Sequence, residues 1–131
     1  MSTWTANRTP VPPHPFSFSV AGDDWVIVGG MGGHGPDGSI AEDAADQTRA
    51  AVATIGLLLE KAGSSWAEVV YVKPCATSRE NAFAMDSVLN ELLPAVRPAG
   101  GALTICELAD PRMKIEIEAW ARRGATLAPA D

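Results

Sequence analysis

Apolar residues alternate with polar ones in some stretches of this chain and recur at helical spacing in others. FSFSV (16–20) alternates, as a half-buried strand does, and WVIVGG (25–30) is predicted to return beside it after a Gly-Asp-Asp turn. Apolar residues three or four apart predict a helix from about Asp43 to Ala62, which Gly63 ends. The first half of the chain is therefore predicted to form a hairpin followed by a helix.

The second half repeats a strand and a helix before it closes with two strands. EVVYVKPCA (68–76) is a mostly apolar run whose Pro74 indicates a sheet edge or a bulge. Thr77 and Glu80 fit a capping box for a second helix, which ends at Pro94. The closing strands are predicted at 102–108 (ALTICEL) and 113–121 (MKIEIEAWA).

This order of elements predicts one α/β (α+β) domain over residues 1–131: strand, strand, helix, strand, helix, strand, strand. Residues 1–13, which are rich in proline, are predicted to be an irregular arm, and residues 124–131 a tail. Two helices are enough to cover one face of such a sheet. We therefore expect further copies of the chain to cover the other face, sheet packed against sheet.

Composition and charge disfavour several classes of partner. The chain is 47% hydrophobic and 20% charged, which is typical of a soluble globular protein. Its 16 acidic and 10 basic residues give a formal charge of −6, which disfavours a nucleic-acid surface. No apolar run is long enough to span a membrane, and the N-terminus does not resemble a secretion signal. We expect no nucleic-acid or membrane partner, no cofactor and a cytoplasmic location.

The cysteines and histidines suggest no metal site. Cys75 and Cys106 lie far apart in sequence, with no C-x-x-C motif and no histidine at ligand spacing, so we expect buried free thiols. His34 lies in the glycine-rich loop MGGHGPDGS (31–39), which lacks the Gly-Lys-Ser/Thr of a phosphate cradle. We expect neither His34 nor His14 to act as a ligand or a base.

Four longer segments carry a family resemblance. HPFSFSV, VIVGGMGGHGPDGSI, DQTRAAVATIGLLLEKAGS and LADPRMKIEIEAWA follow one another across residues 14–122 with nearly gapless spacing. In this order they resemble the Rid family, the YjgF-like reactive-intermediate deaminases. The resemblance implies a chorismate-mutase-like fold and a homotrimer with a small-molecule substrate in each cleft between subunits. In typical members, water adds to the C=N bond of a 2-imino acid and releases ammonia.

The resemblance also places the site residues, and most of them are replaced here. An arginine that clamps the substrate carboxylate in typical members falls on Gly100 of PAGGALTICEL (98–108). A tyrosine of the first strand falls on Phe16, whereas the glutamate that positions the attacking water is retained as Glu116. The other implied substrate-binding positions are Gly29, Gly30, Met31, Asp86, Gly101 and Ala102.

These replacements change what the cleft is expected to bind. Without the arginine, and with no other Arg or Lys nearby in that strand, the cleft loses charge-assisted bonds worth about 1.5–3 kcal/mol each. Arg79 and Arg97 could take its place but are expected on the surface. Small and apolar walls would raise the pKa of Glu116. We therefore expect an enzyme in which Glu116 is the single acid/base, acting on a bulky neutral or cationic imine or enamine by hydrolysis, tautomerisation or cyclisation.

Two alternatives of other classes remain at this point. The loss of polar groups around the cleft is also what a non-catalytic trimer would show, one that binds a small ligand or stabilises a partner enzyme. Ribonuclease activity, attached to some Rid proteins, is disfavoured by the acidic charge. Glu116 itself could be a solvated or interface acid, the role expected of Glu118. Trp120, on the same strand face, is predicted to pack in the core or in an interface.

Overall fold

The structure is a computed structural model that describes residues 3–10, 12–101 and 104–130. Two helices pack on one face of a six-stranded mixed sheet, which confirms the predicted α+β fold. A single 3-10 turn, Trp66–Glu68, precedes the fourth strand. The elements are β1 (Thr5–Asn7), β2 (Ser19–Ala21), β3 (Trp25–Met31), α1 (Ala44–Lys61), β4 (Val69–Ala76), α2 (Arg79–Leu92), β5 (Ala99–Gly100) and β6 (Ile115–Arg122).

The last strand of the chain lies inside the sheet. The strand order is β1-β2-β3-β6-β4-β5, so β6 is inserted between β3 and β4 and pairs antiparallel with both. Only β4 and β5 pair in parallel. None of the helices within the described residues is long and apolar enough to cross a membrane.

The core lies between the sheet and the two helices. Strand β6 buries every second residue against the helices, from Ile115 and Ile117 to two alanines. Helix α1 contributes the fully buried Ile55 and Leu59, and α2 contributes Met85. Because side chains alternate along a strand, the intervening residues of β6 point to the opposite face, which no helix covers. That uncovered side of the sheet is called the open face below.

The helix boundaries follow the sequence closely, with one difference in the capping residue. Gly63 follows α1 with a φ of +77°, a conformation that favours glycine, and ends the helix as predicted. The N-cap of α2 is Ser78, whose Oγ accepts a hydrogen bond from the Asn81 backbone N–H at 3.1 Å. The prediction of Thr77 as the cap was wrong by one residue, because the Thr77 backbone still bonds to the chain before β6.

The N-terminal arm contains a strand that the pattern did not predict. Thr5–Asn7 pairs with Ser19–Ala21, so the irregular arm predicted at 1–13 is corrected at these positions. Short polar edge strands lack the apolar alternation that identifies strands in a sequence, since backbone hydrogen bonds alone hold them. The second strand likewise begins at Ser19, later than the predicted Phe16, and pairs with β3 as the predicted hairpin.

The strand predicted at 102–108 is displaced toward the two glycines. Strand β5 comprises only Ala99 and Gly100, and residues 102–103 lie outside the described residues. Beyond them, Ile105 forms an isolated parallel bridge with Ala76 of β4. Within the described residues, the chain therefore pairs with β4 at 99–100 and at Ile105, and the strand predicted up to residue 108 does not continue over 106–108.

Candidate functional site

The open face carries the titratable side chains of β6 and β4. Glu116 and Glu118 project from β6, directly opposite Cys75 and Lys73 of β4 in the sheet register. Trp120, two residues further along β6, donates a hydrogen bond from Nε1 to Glu118 Oε2 at 3.0 Å. Along β6 the open face is therefore acidic at Glu116 and Glu118 and aromatic at Trp120.

Glu116 lies over a glycine of the neighbouring strand. Strand β3 has a bulge between Val28 and Met31, so Gly29 and Gly30 occupy the extra position opposite β6. A Cβ built on Gly30 would overlap the Glu116 carboxyl group and would stand 2.9 Å from its Cγ. The Glu116 carboxylate can lie over Gly30 because glycine has no side chain.

The surroundings of Glu116 favour its protonated form. Partial burial raises the pKa of the half-buried carboxyl, and the negative charge of Glu118 raises it further. A carboxyl group whose pKa is shifted toward neutrality exchanges protons more readily at physiological pH than an ordinary glutamate does. The retained glutamate therefore has the electrostatic setting of a general acid or base.

The two glycines at 100–101 differ in the space around them. A Cβ on Gly100 would come within 2.6 Å of the backbone oxygen of Val72, the residue with which Gly100 pairs in β4. A Cβ on Gly101 would meet no described heavy atom within 4 Å. In this backbone a side chain at position 100 collides with β4, whereas position 101 opens on free space. Ala102, the next implied site residue, lies outside the described residues.

Lys73 is a cation that sequence reasoning missed. It lies in β4 next to Val72, the partner of Gly100, and directly opposite Glu118 in the register of β6. Its exposed side chain therefore shares the open face with both carboxylates. The alternation of EVVYVKPCA, with Tyr71, Lys73 and Cys75 on one face, was the available signal. Only the pairing of β4 with β5 and β6 brings this lysine close to the position of the missing arginine.

Neither of the arginines considered as replacements reaches Glu116 within this chain. The Arg97 guanidinium donates hydrogen bonds to the backbone oxygens of Asn90 and Leu93 and to the Asn90 side chain, and so caps the C-terminus of α2. Arg79 is exposed in the first turn of the same helix. Since α2 packs on the covered side of the sheet, both arginines belong to the layer opposite the open face.

The remaining predicted site residues are dispersed in a single chain. Phe16 is 70% exposed and lies before β2, with its ring centroid 5.9 Å from that of His14. Asp86 is half-buried in α2, on the helical side of the sheet. Met31 packs against the core, while a Cβ on Gly29 would stand at an ordinary 3.5 Å from the Phe18 oxygen. Among the predicted positions that the structure describes, Gly30 is the one found against the Glu116 side chain.

Two loops next to the site are tied together by buried and charged groups. Gln47 of α1 is fully buried; its amide donates to the oxygens of Ala41 and Arg112 and its Oε1 accepts from the Lys114 N–H at 2.8 Å. His34 Nε2 lies 3.0 Å from a carboxylate oxygen of Asp110. These contacts link the loop after β3 to the loop before β6, so they fix the strand ends that carry Gly30 and Glu116.

Asp110 is the anionic centre of that linkage. The Arg112 guanidinium, and secondly His34, hold the pKa of its carboxyl well below the usual range. Arg112 contacts it through its backbone N–H, Nε and Nη2, the last at 2.8 Å from Oδ2. Sequence reasoning had given His34 no partner, because Asp110 lies far along the chain.

Glu116 lines neither of two cavities found in the described part of the chain. One, of about 520 Å³, lies between β1, β2 and the end of α1. The other, of about 370 Å³, lies beside the loop before β6. Its lining includes Thr77, Asn81, Cys106, Asp110, Met113 and Lys114. The Glu116 side chain is instead half-buried on the open face of the sheet.

Comparison with protein families matches residues 6–123 to the family described as Endoribonuclease L-PSP. Solved structures share the fold over nearly the whole chain. A protein of unknown function from Pseudomonas aeruginosa is 24% identical over 100% of both chains, with a TM-score of 0.84. A YjgF-family protein from Neisseria meningitidis is 22% identical, with a TM-score of 0.80, and the match covers 95% of this chain and 98% of that one.

A third solved structure is somewhat closer in sequence. It is a YjgF-family protein from Mycobacterium tuberculosis, 26% identical to this chain, with a TM-score of 0.76. The match covers 92% of this chain and 99% of that one.

Proposed function

The chain belongs to the Endoribonuclease L-PSP family, which includes the YjgF (Rid) proteins, and on that premise we propose that it acts on an imine or enamine by general acid–base catalysis. Glu116 is the acid/base, and the site lies in a cleft between subunits of a homotrimer. The substrate is neutral or cationic and bulkier than a simple 2-imino acid. The single observation that carries the proposal is the half-buried Glu116 carboxyl with its raised pKa, seated over Gly30.

One carboxyl group is enough for this chemistry. A protonated Glu116 can donate its proton to an imine nitrogen, which makes the attached carbon more electrophilic. The resulting carboxylate can then accept a proton from an attacking water molecule or from the carbon next to the imine. The first course gives hydrolysis, and the second gives tautomerisation to an enamine. Both require a pKa nearer neutrality than that of an ordinary glutamate, the direction found for Glu116.

The charges on the open face support a neutral or cationic substrate. Glu116 and Glu118 contribute two carboxylates, and Lys73 is the cation placed opposite them in the register. Position 100, where typical relatives carry the clamping arginine, has no room for a side chain here. A lysine is a flexible point charge and does not offer the two parallel hydrogen bonds of a guanidinium. An anionic substrate therefore finds a weaker anchor than it would in the relatives.

The exposed aromatic residues of the open face support an oligomer. Tyr71 and Trp120 are 37% and 36% exposed, and their rings meet edge to face at a centroid distance of 6.2 Å. Trp25 of β3 meets the other side of Trp120 at the same distance. Large aromatic side chains gathered on one surface are typical of interfaces. A homotrimer packed through this face would cover them and bring a second subunit to Glu116.

The test compares substrates of opposite charge with matched variants. Wild-type protein is assayed with a neutral cyclic imine and with a small 2-imino acid, and so are Glu116→Gln and Glu118→Gln. We expect kcat/KM to be higher for the neutral imine and to fall about 10²–10⁴-fold in Glu116→Gln, the usual contribution of a general acid or base. Glu118→Gln, two residues away on the same face, should retain most of the activity.

Lys73→Ala provides the second arm of this test. If the substrate is neutral or cationic, this variant should leave kcat/KM for the cyclic imine within about threefold of wild type. A selective rise in KM for the 2-imino acid, combined with wild-type preference for that acid, would show that Lys73 has replaced the arginine and would overturn the proposed substrate class. Equal activity of Glu116→Gln and wild type would overturn the catalytic assignment.

A ligand-binding role without catalysis is the second candidate. It is supported by the glycines at 29, 30, 100 and 101, which leave few polar side chains near Glu116. In that case no imine is turned over, yet a small apolar amine raises the melting temperature in proportion to the logarithm of its concentration. The family description names an endoribonuclease, but the formal charge of −6 disfavours RNA binding, and we expect no cleavage of single-stranded RNA.

A further inference from the structure

Two cysteines that are distant in sequence occupy diagonal positions of a parallel bridge, where the chain follows β4 after the glycines. The Ala76 N–H donates to the Thr104 oxygen at 3.0 Å, and the Cys106 N–H donates to the Ala76 oxygen at 2.9 Å. This parallel bridge places Cys106 next to the end of β4, where Cys75 precedes Ala76. Both cysteines are free, and the Cys106 thiol is near enough to Cys75 to raise its pKa.

The two thiols differ in their surroundings. Cys106 lines the cavity of about 370 Å³ beside Thr77 and Asn81, so a small molecule in that cavity reaches its sulfur. Cys75 does not line this cavity and stands opposite Glu116 in the sheet. A peroxide can therefore reach Cys106 through the cavity, whereas Cys75 lies on the open face beside Glu116.

We propose that Cys106 is a peroxide-sensitive modification site and that Cys75 resolves it by forming a Cys75–Cys106 disulfide beside Glu116. The oxidant is hydrogen peroxide or an organic hydroperoxide. The Cys106 sulfur attacks the peroxide O–O bond, so that the sulfur is oxidised to a sulfenic acid and the peroxide is reduced to water or an alcohol. The Cys75 sulfur then attacks the Cys106 sulfur, and the sulfenic oxygen leaves as water with the Cys75 proton.

The order of the two steps follows from the surroundings of each thiol. Burial, the neighbouring Cys106 thiol and the nearby Glu116 carboxylate raise the pKa of Cys75 to about 12, so Cys75 is a poor first nucleophile. Its closeness to Cys106 compensates once a sulfenic acid has formed, because the second attack is intramolecular. Since Cys75 faces Glu116 across the strand pair, the disulfide would also rearrange the wall of the proposed active site.

The experiment measures oxidation directly and does not depend on any activity. Folded wild-type protein, Cys75→Ser and Cys106→Ser are treated with hydrogen peroxide, with and without dimedone, and analysed by intact mass and peptide mapping. In wild type we expect the loss of two hydrogens per chain and a cross-linked peptide pair, reversed by dithiothreitol. Cys75→Ser should form a dimedone adduct at Cys106, and Cys106→Ser should react at least tenfold more slowly than wild type.

Several outcomes would overturn the proposal. They are a wild-type protein that remains reduced, a disulfide between chains on a non-reducing gel, or sulfinic acid at Cys106 with Cys75 still free. Equal reactivity of Cys106→Ser and wild type would refute the order of the steps. If either serine variant fails to fold, peptide mapping of the wild-type protein alone still decides whether the disulfide forms.

Discussion

Glycine 30 should be required for the position of Glu116, and three glycine-to-alanine substitutions test this. A Cβ at position 30 would overlap the Glu116 carboxyl group, whereas a Cβ at Gly29 meets only the Phe18 oxygen at 3.5 Å. A Cβ at Gly33 would stand 2.5 Å from the Cα of Gln47, which belongs to the backbone of α1. A methyl group at position 30 thus meets a side chain that can move, and one at position 29 makes an ordinary contact. A methyl group at position 33 meets a helix backbone that cannot move.

The expected costs follow from what must move in each case. In Gly30→Ala the Glu116 side chain leaves its place, and a strained rotamer costs about 0.5–1.5 kcal/mol. In Gly33→Ala the helix backbone cannot yield, so overpacking of about 1–3 kcal/mol, toward the upper end, is expected. Gly29→Ala should not lower the free energy of unfolding. It should raise it by up to about 1 kcal/mol, because alanine reduces the conformational entropy of the unfolded chain. The predicted order of stability is therefore Gly29→Ala, Gly30→Ala, Gly33→Ala.

Urea denaturation at one fixed protein concentration measures these differences in stability. A double-mutant cycle then tests whether the loss in Gly30→Ala comes from the displaced Glu116 side chain. In a Glu116→Ala background the side chain that Gly30→Ala displaces is gone, so the same substitution should cost almost nothing. The coupling free energy between the two positions should be about 1 kcal/mol. Imine turnover is the second readout: a carboxyl displaced by about 1 Å costs on the order of 10²-fold in rate, so Gly30→Ala should be slow and Gly29→Ala near wild type.

Two results would refute this reasoning. If Gly30→Ala and Glu116→Ala are additive, the Glu116 side chain does not lie over Gly30 in solution. If Gly29→Ala and Gly30→Ala lose stability equally, the bulge itself demands glycine, and the contact with Glu116 is incidental.

Two further predictions concern Asp110 and the glycines before the last strand. Because Arg112 lowers the folded-state pKa of Asp110, the stabilising effect of the carboxylate is complete above the ordinary pKa of about 3.9 and is lost progressively as pH falls from there through the lowered folded-state pKa. Asp110→Asn should therefore lower the urea midpoint most at pH 7 and by a smaller amount at pH 3; a loss that grows as pH falls would contradict the ion pair. Gly101→Arg should raise kcat/KM for a 2-imino acid at least about tenfold, since one charge-assisted bond is worth about 1.5–3 kcal/mol. Gly100→Arg should instead destabilise the fold, because its side chain would collide with the Val72 oxygen. No gain from a folded Gly101→Arg would show that this position does not face the substrate.

The sequence predicted those elements whose residues repeat a pattern. Strand β6 was found because Ile115 and Ile117 alternate with glutamates, and α1 because its apolar residues are three or four apart and Gly63 follows. Strand β1 was not predicted, because Thr5–Asn7 shows no apolar alternation and joins the sheet edge through backbone hydrogen bonds. Patterns therefore identify elements that bury side chains and miss those held only by their backbone.

The site was predictable as single residues but not as contacts. Glu116 was identified from its motif, yet nothing in the sequence links it to Gly30, because the bulge that brings them together depends on the register of two strands distant in sequence. Lys73 was overlooked for the same reason, since its relation to Gly100 exists only through the pairing of β4 with β5. Interactions across strands require the register, which one-dimensional patterns do not contain.

The two glycine pairs have opposite consequences for the proposed active site. On β3, Gly30 makes room for the carboxylate of Glu116, the proposed catalytic group. On β5, Gly100 accommodates the close approach of β4 and so excludes the side chain that would clamp an anion. A glycine that seats Glu116 and a glycine that leaves no room for a carboxylate-binding side chain both support the proposed function, which is acid–base catalysis by Glu116 on a neutral or cationic substrate.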